Sequence, residues 1–195
     1  MISKKHITGI ILAGGKSTRM GTDKGFLLLN NKTFMQYSIE ALQPLVSEII
    51  IVSDNINYDV FGYKRITDIK KNAGPIAGIC SGLEISSTEY NLILSCDVPL
   101  ITSEVLQKLI DNIDDTSEII QIESLGKSMP LIALYKTQII KKFNELLQTT
   151  DERRLRKAVE TCKTKNIILK EDNTACTMNV NTQNDLKAIE DAYKN

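Results

Sequence analysis

The chain has one histidine, four cysteines and no excess of charge of either sign. Each shortage removes a class of chemistry. A Ser or Cys nucleophile that needs an imidazole base would have to recruit His6, in the short polar leader, so hydrolase triads are excluded. Cys80, Cys96, Cys162 and Cys176 show no CxxC spacing. That argues against a zinc site built on paired thiolates and for reduced thiols in a cytoplasmic protein. Lys and Arg number 24 against 24 Asp and Glu, so the chain has no basic footprint with which to displace counterions from a nucleic acid. Phe and Tyr are scattered without the pattern of a base-stacking platform. No apolar run approaches the ~20 residues that span a bilayer, and the leader shows no small-residue cleavage site of a secretory signal. A single nucleotide remains open, because a metal ion and a few placed cations can offset its charge.

What is present is globular. With 195 residues, 42% hydrophobic and 25% charged, the chain can bury one sizeable core, and one domain spanning 1–195 is expected. Residues 7–13 (ITGIILA) read as a buried strand ending in glycines. A helical pattern follows over 33–45, then strands at 48–53 and 63–67. A helix over 76–86 opens at Gly74-Pro75, where proline suits the first turn. Residues 91–96 (NLILSC) form another buried strand, and Thr102 caps a helix over 103–112. The second half predicts strands at 118–123, 130–135 and 166–170, with Gly126 in a loop between the first two. Helices are predicted at 138–147, 152–162 and 182–193. Alternating strands and helices imply right-handed crossovers and an α/β fold, Rossmann-like, with a mainly parallel sheet flanked by helices.

The chemistry concentrates after the first strand, in residues 12–24 (LAGGKSTRMGTDK). There, at the carboxyl edge of a parallel sheet, open α/β folds bind ligands. Gly14 and Gly15 let backbone approach a ligand, and Arg19 and Lys24 add cations, a combination suited to a polyphosphate. It is not a P-loop: Gly15-Lys16-Ser17 supplies the second half of GxxxxGK[ST], but residue 10, where the first glycine belongs, is Ile. Nor is GxGxxG present. Asp97 ends an apolar strand and would project from the same edge, where one carboxylate can hold Mg²⁺ together with substrate phosphates. Asp68 also follows a strand; read alone, it fits a turn cap better than a ligand. Residues 74–78 (GPIAG) open a helix whose glycines admit a base or phosphate, or simply close packing. In Asn179-Val180-Asn181-Thr182 the two asparagines point the same way if extended, though Asn181 or Thr182 could equally cap the last helix. Arg153, Arg154, Arg156 and Lys157 form the one cationic cluster.

Together these segments resemble the molybdenum cofactor guanylyltransferase family, the MobA-type nucleotidyltransferases. The resemblance covers nearly the whole chain in order: residues 12–24, 74–78, 96–99 (CDVP), 129–134 (MPLIAL), 151–154 (DERR) and 179–182 (NVNT). It implies the nucleotide-diphospho-sugar transferase fold, and transfer of GMP from GTP to the phosphate of molybdopterin with Mg²⁺. By the same resemblance Arg19, Lys24 and Asp97 are catalytic, and Asp97 holds the metal. Leu12, Ala13, Gly14, Gly15, Lys24, Asp68, Gly78 and Asp97 bind the nucleotide. Arg153, Arg154, Asn179 and Asn181 face the acceptor, so the N-terminal half would bind nucleotide and the C-terminal half acceptor. Transient contact with other proteins of cofactor synthesis is also implied. Two positions depart from the family pattern: Asp151 stands where glycine is common, and Gln183 where proline is.

Three other functions fit parts of the chain. Cytidylyl relatives tend to carry Ala-Ala-Gly in the first loop and to lack GPxAG, whereas this chain has Ala13-Gly14-Gly15 and residues 74–78. Sugar-phosphate enzymes rarely pair an Arg-Arg segment with Asn-x-Asn-Thr. A nucleotide sensor without turnover would not need Arg19, Lys24 and Asp97 together.

Overall fold

A computed structural model describes residues 2–14, 23–68, 74–149, 154–170 and 174–194. Gly15, Arg19 and Arg153 lie outside the described residues, as does Asp151. The described strands are β1 (Ile7–Leu12), β2 (Leu28–Leu29), β3 (Lys32–Thr33), β4 (Glu48–Val52), β5 (Lys64–Ile66), β6 (Tyr90–Ser95), β7 (Ile119–Ser124), β8 (Lys127–Lys136) and β9 (Thr164–Ile168). The α-helices are α1 (Phe34–Leu42), α2 (Pro75–Ile85), α3 (Ser103–Asp111), α4 (Ile140–Thr149), α5 (Leu155–Glu160) and α6 (Gln183–Lys194).

Seven strands form one sheet in the order β5-β4-β1-β6-β8-β7-β9. β1 pairs in parallel with β4 and β6, β4 with β5, and β7 with β9; β8 runs antiparallel to both β6 and β7. The fold is therefore α/β with a mainly parallel sheet, as the alternation of elements implies. β1, β4 and β6 lie in the middle of the sheet with helices on both faces, so their Ile- and Leu-rich runs are buried on both sides. One face carries α1 and α3, whose Met35, Ile39, Leu42, Leu106 and Leu109 pack on Ile7, Ile11 and Ile51. The other carries α2, α4 and α5, whose Ile79, Phe143 and Leu155 pack with Ile10, Ile50 and Ile93.

The strands around Gly126 differ from the sequence reading. They run on to a two-residue turn, Leu125-Gly126, with φ of 50° and 69°. Both central residues thus have the positive φ of the hairpin turns whose twist matches that of their strands. Register slips between Gln121 and Ile122, so that Gln121 faces Ala133 and Ile122 faces Met129. Pro130 sits in this bulge, where β7 asks no hydrogen bond of it. The unanticipated β2–β3 ribbon turns through Asn30-Asn31, both at positive φ.

The order in which strands are laid down locates a crevice. From β1 the chain builds outward through β4 to β5, then returns to place β6 on the other side of β1. The segments that follow β1 and β6 consequently part between these strands, which is where open α/β sheets bind ligands.

Candidate functional site

Four parallel strands deliver their carboxyl ends to one edge: Leu12, Val52, Ile66 and Ser95. Gly14, Ser53, Asp68 and Asp97 follow them. With neighbouring strands ~4.8 Å apart, the ends of β5 and β6 lie about 14 Å from each other. Asp68 and Asp97 therefore mark the two ends of an elongated site rather than one carboxylate pair.

Lys24 stands in a short 3-10 helix, Lys24–Phe26, and its ammonium reaches across the switch point to Asp97. Nζ donates to Asp97 Oδ2 at 3.1 Å and to Asn181 Oδ1 at 2.5 Å. Both partners of the ion pair are largely covered, with 20% and 13% of their side chains exposed, so solvent screens the pair less than it would a surface salt bridge. Asp97 Oδ1 accepts from Ser95 Oγ at 2.6 Å and Asn179 Nδ2 at 3.4 Å. Residues 73 and 157 positions away from Lys24 in sequence thus meet at one ammonium.

The alternation read from Asn179-Val180-Asn181 explains the convergence of the asparagines. Val180 is fully buried against Leu29, Phe34 and Ile189, and its N–H donates to the carbonyl of Asp97 at 2.8 Å. With Val180 pinned, both flanking amides turn to the Lys24–Asp97 pair. Gln183 in place of proline leaves the start of α6 intact. Asp185 Oδ2 accepts the N–H groups of Asn181 and Thr182, each at 2.8 Å, and Thr182 Oγ1 accepts from Asp185 N at 3.2 Å. This reciprocal cap fixes the turn that presents Asn181.

At the other end, Asp68 approaches Gly78. A β-carbon on Gly78 would lie 3.2 Å from Asp68 Oδ1 and 3.3 Å from Leu12 Cδ2. Glycine here is what lets the carboxylate close over the first turn of α2. Oδ1 of Asp68 is buried and has no hydrogen-bond partner. Burial, and then the charge of Asp54, holds this carboxyl above the usual carboxylate range. A buried acceptor without a donor is open to a donor from a ligand. The backbone of the other predicted nucleotide residues is more committed. Ala13 N–H donates to Val52 O at 3.0 Å, Ala13 O accepts from Ser53 Oγ at 2.8 Å, and Leu12 O accepts from Cys96 N at 3.1 Å. Gly14 faces open space.

Beside the Asp97 end lies a cavity of about 940 Å³. Asn179 and Asn181 line its near end, Met129, Leu131 and Met178 its apolar wall, and Lys127, Arg154, Arg156 and Lys157 add cations. Arg154 precedes α5 and caps its first turn through its carbonyl, which accepts from Lys157 N at 3.0 Å. An apolar wall with a cationic margin suits a planar, anionic ligand.

Several residues of the site carry little sequence signal. Ser95 looks like an ordinary strand terminus, and Asp23 and Tyr58 show nothing of their pairing until the fold joins residues 35 positions apart. Asp185 could have been found, since Thr-x-x-Asp before an amphipathic helix is a capping signature. Cys96 adjoins Asp97 but is no nucleophile: burial, with the nearby Asp97 charge, pushes its thiol up. Among the described residues, no three His, Cys, Asp or Glu cluster to hold a metal, and no helix is long and apolar enough to cross a membrane.

The model of one family, the MobA-like NTP transferase domain, matches residues 9–164. The chain belongs to the MobA-like NTP transferase family. A probable molybdenum cofactor guanylyltransferase of Flavobacterium johnsoniae is 40% identical over 134 residues, which cover 69% of this chain and 70% of the relative. A molybdenum cofactor guanylyltransferase of Vibrio parahaemolyticus is 28% identical over 189 residues, covering 95% and 96%. The crystal structure of molybdopterin-guanine dinucleotide biosynthesis protein A from Archaeoglobus fulgidus matches the fold with a TM-score of 0.81 at 20% identity, over 96% of this chain and 98% of that one. As a MobA-like NTP transferase, the chain has the nucleotide-diphospho-sugar transferase fold and is a nucleotidyltransferase.

Proposed function

We propose that this nucleotidyltransferase moves GMP from GTP onto the phosphate of molybdopterin and releases pyrophosphate, with Mg²⁺ bound at Asp97. The observation that carries this reading is the shared ammonium of Lys24, which touches Asp97 on the nucleotide side and Asn181 on the acceptor side. A group placed there meets both the α-phosphorus and the incoming phosphate. An acceptor phosphate oxygen attacks that phosphorus and the bond to pyrophosphate breaks. The nucleophile is already an anion, so no general base is required. What the reaction needs is alignment and positive charge on the α-oxygens and the leaving pyrophosphate. Lys24 supplies that charge, and Arg19, outside the described residues, is assigned the same work.

The donor set fits magnesium. Asp97 offers one carboxylate and Asn179 a buried, unpartnered amide oxygen, both hard donors that would hold Mg²⁺ together with substrate phosphate and water. When bound, the ion neutralises phosphate charge and polarises the phosphorus–oxygen bonds.

Asp68 supports guanine. Guanine offers adjacent N–H donors on its pairing edge, which meet the unsatisfied Oδ1; cytosine presents acceptors there beside a single amine. Gly14, Leu12, Ala13 and Gly78 form the surface against which the nucleoside lies; Gly15, outside the described residues, is assigned to the same nucleotide. Arg153, Arg154, Asn179 and Asn181 hold the acceptor, its phosphate at the asparagines and its fused ring along Met129 and Leu131. A cytoplasmic reaction is the reading supported by the nucleotide substrate and by cysteines without paired spacing.

A nucleotide competition assay with molybdopterin and Mg²⁺ tests the reading. Pyrophosphate release from GTP is expected in clear preference to CTP; equal use of the two would sink the guanine assignment. Lys24→Ala is expected to lower turnover by about 10²–10³ while the fold survives.

A further inference from the structure

Lys24 is held by an unusual mount. The carboxylate of Asp23, one residue before it, accepts from Gly25 N at 3.3 Å, from Asn55 Nδ2 at 3.0 Å and from the hydroxyl of Tyr58 at short range. The first of these bonds caps the 3-10 helix Lys24–Phe26 that carries Lys24. The other two tie that helix to a second one, Ile56–Phe61, which follows β4. The ring of Phe26 stacks on Tyr58 with centroids 4.7 Å apart and an interplanar angle of 26°, and Phe61 closes the group at 5.8 Å from Phe26. Tyr58 is fully buried, and its hydroxyl occupies the space a β-carbon on Gly25 would need. Lys24 therefore lies between two fixed points: the capping bond of Asp23 on one side and the ring stack of Phe26 on the other.

We infer that Asp23 and Tyr58 are positioning residues for Lys24, setting the register of its 3-10 turn so that the ammonium falls on the Asp97 end of the site. Both act through the turn that carries Lys24. A side chain as long as lysine amplifies a small rotation of its backbone turn into a displacement of its ammonium. Misplacement by about 1 Å at a reacting centre can cost ~10²-fold in rate. Tyr58 is suited to the task because burial, chiefly, and the neighbouring negative charges keep its phenol protonated and therefore a donor. Asp23 is suited because one carboxylate accepts from three donors in two separate segments. The inference rests on the assignment of Lys24 to nucleotide transfer, and its test separates the two.

The test is competitive acetylation of lysines by limiting acetic anhydride, read by mass spectrometry, alongside steady-state kinetics. Lys142 and Lys165, paired with Glu118 and Asp114 on the β7–β9 side of the sheet, serve as internal references. In the wild type Lys24 is expected to label more slowly than either. Tyr58→Phe keeps the ring stack and removes one hydroxyl. It should raise Lys24 labelling severalfold, leave the reference lysines unchanged and lower kcat by about tenfold with little change in the KM for GTP. Asp23→Ala should do more, and Asp23→Asn, which retains an acceptor for Gly25 and Tyr58, should restore most of both readouts. Unchanged Lys24 labelling in Tyr58→Phe, the variant least liable to misfold, overturns the inference. Altered labelling with unchanged kcat would uphold the mount and instead remove Lys24 from the chemistry.

Discussion

Asp68 shows at the scale of one residue how a binding site can cost stability. Its carboxyl is held above the usual carboxylate range by burial, so the folded chain binds a proton there more tightly than the unfolded chain does. The sign follows from linkage: stability falls as pH rises from the ordinary aspartate range through the raised value, then levels off. Asp68→Asn removes the charge and should raise Tm at pH 7, and its advantage over the wild type should vanish in acid, below the ordinary aspartate pKa. The same variant should weaken GTP binding. Melting curves from pH 3 to 8 with matched nucleotide titrations check both signs, and a variant that neither gains stability nor loses affinity would contradict the assigned role. From the sequence alone Asp68 fits a turn cap, because its importance lies in the contact with Gly78. Lys24 and Asp97 were legible, since each ends a segment that composition marks as reactive. Asp23 and Tyr58 were not, because their bond joins two loops across the fold.

Elements bear out the same division between local and tertiary signals. The parallel strands β1, β4 and β6 were legible within a residue or so because burial on both faces leaves an uninterrupted apolar run. The β7–β8 hairpin was read as two shorter strands with a loop, because Leu125 is a poor turn residue. A leucine at φ of 50° sits where only Gly, Asn and Asp rest easily, at a cost of about 1–2 kcal/mol. Its side chain, 74% exposed, also lines the cavity beside Asp97. Leu125→Asn should therefore stabilise the fold by about 1 kcal/mol, measured by denaturant midpoint. It should also weaken acceptor binding if the leucine is kept for the cavity. The opposite outcome is expected on α2. A β-carbon on Gly82 would lie 2.6 Å from Ile10 Cγ2, so Gly82→Ala pushes the helix off β1. Overpacking of this kind costs typically 1–3 kcal/mol. It should also shift Gly78, on the same helix, and so disturb its close contact with Asp68.

At the scale of the whole molecule, the neutral total of 24 cations against 24 anions conceals a site where the charges are sorted. Carboxylates stand at the ends of β5 and β6, Lys24 lies between the halves, and cations rim the cavity beyond. Because β6 pairs with β1 on one side and β8 on the other, the N-terminal and C-terminal halves share one sheet and should unfold together. The chain has no tryptophan, but it carries a fully buried tyrosine in each half, Tyr58 and Tyr135. Near-ultraviolet circular dichroism should thus report both halves in one transition. GTP with Mg²⁺ at a hundred times its Kd should stabilise the native state by about 2.7 kcal/mol, which for a chain of this length raises Tm by roughly 5–11 °C. The shift should appear equally in amide hydrogen exchange of β1 and of β7, though the residues proposed to bind the nucleotide lie beside the first. Protection confined to β1, β4 and β6 would mean that the two halves are separate cooperative units. The Lys24–Asn181 contact would then be a meeting of domains rather than an internal feature of one.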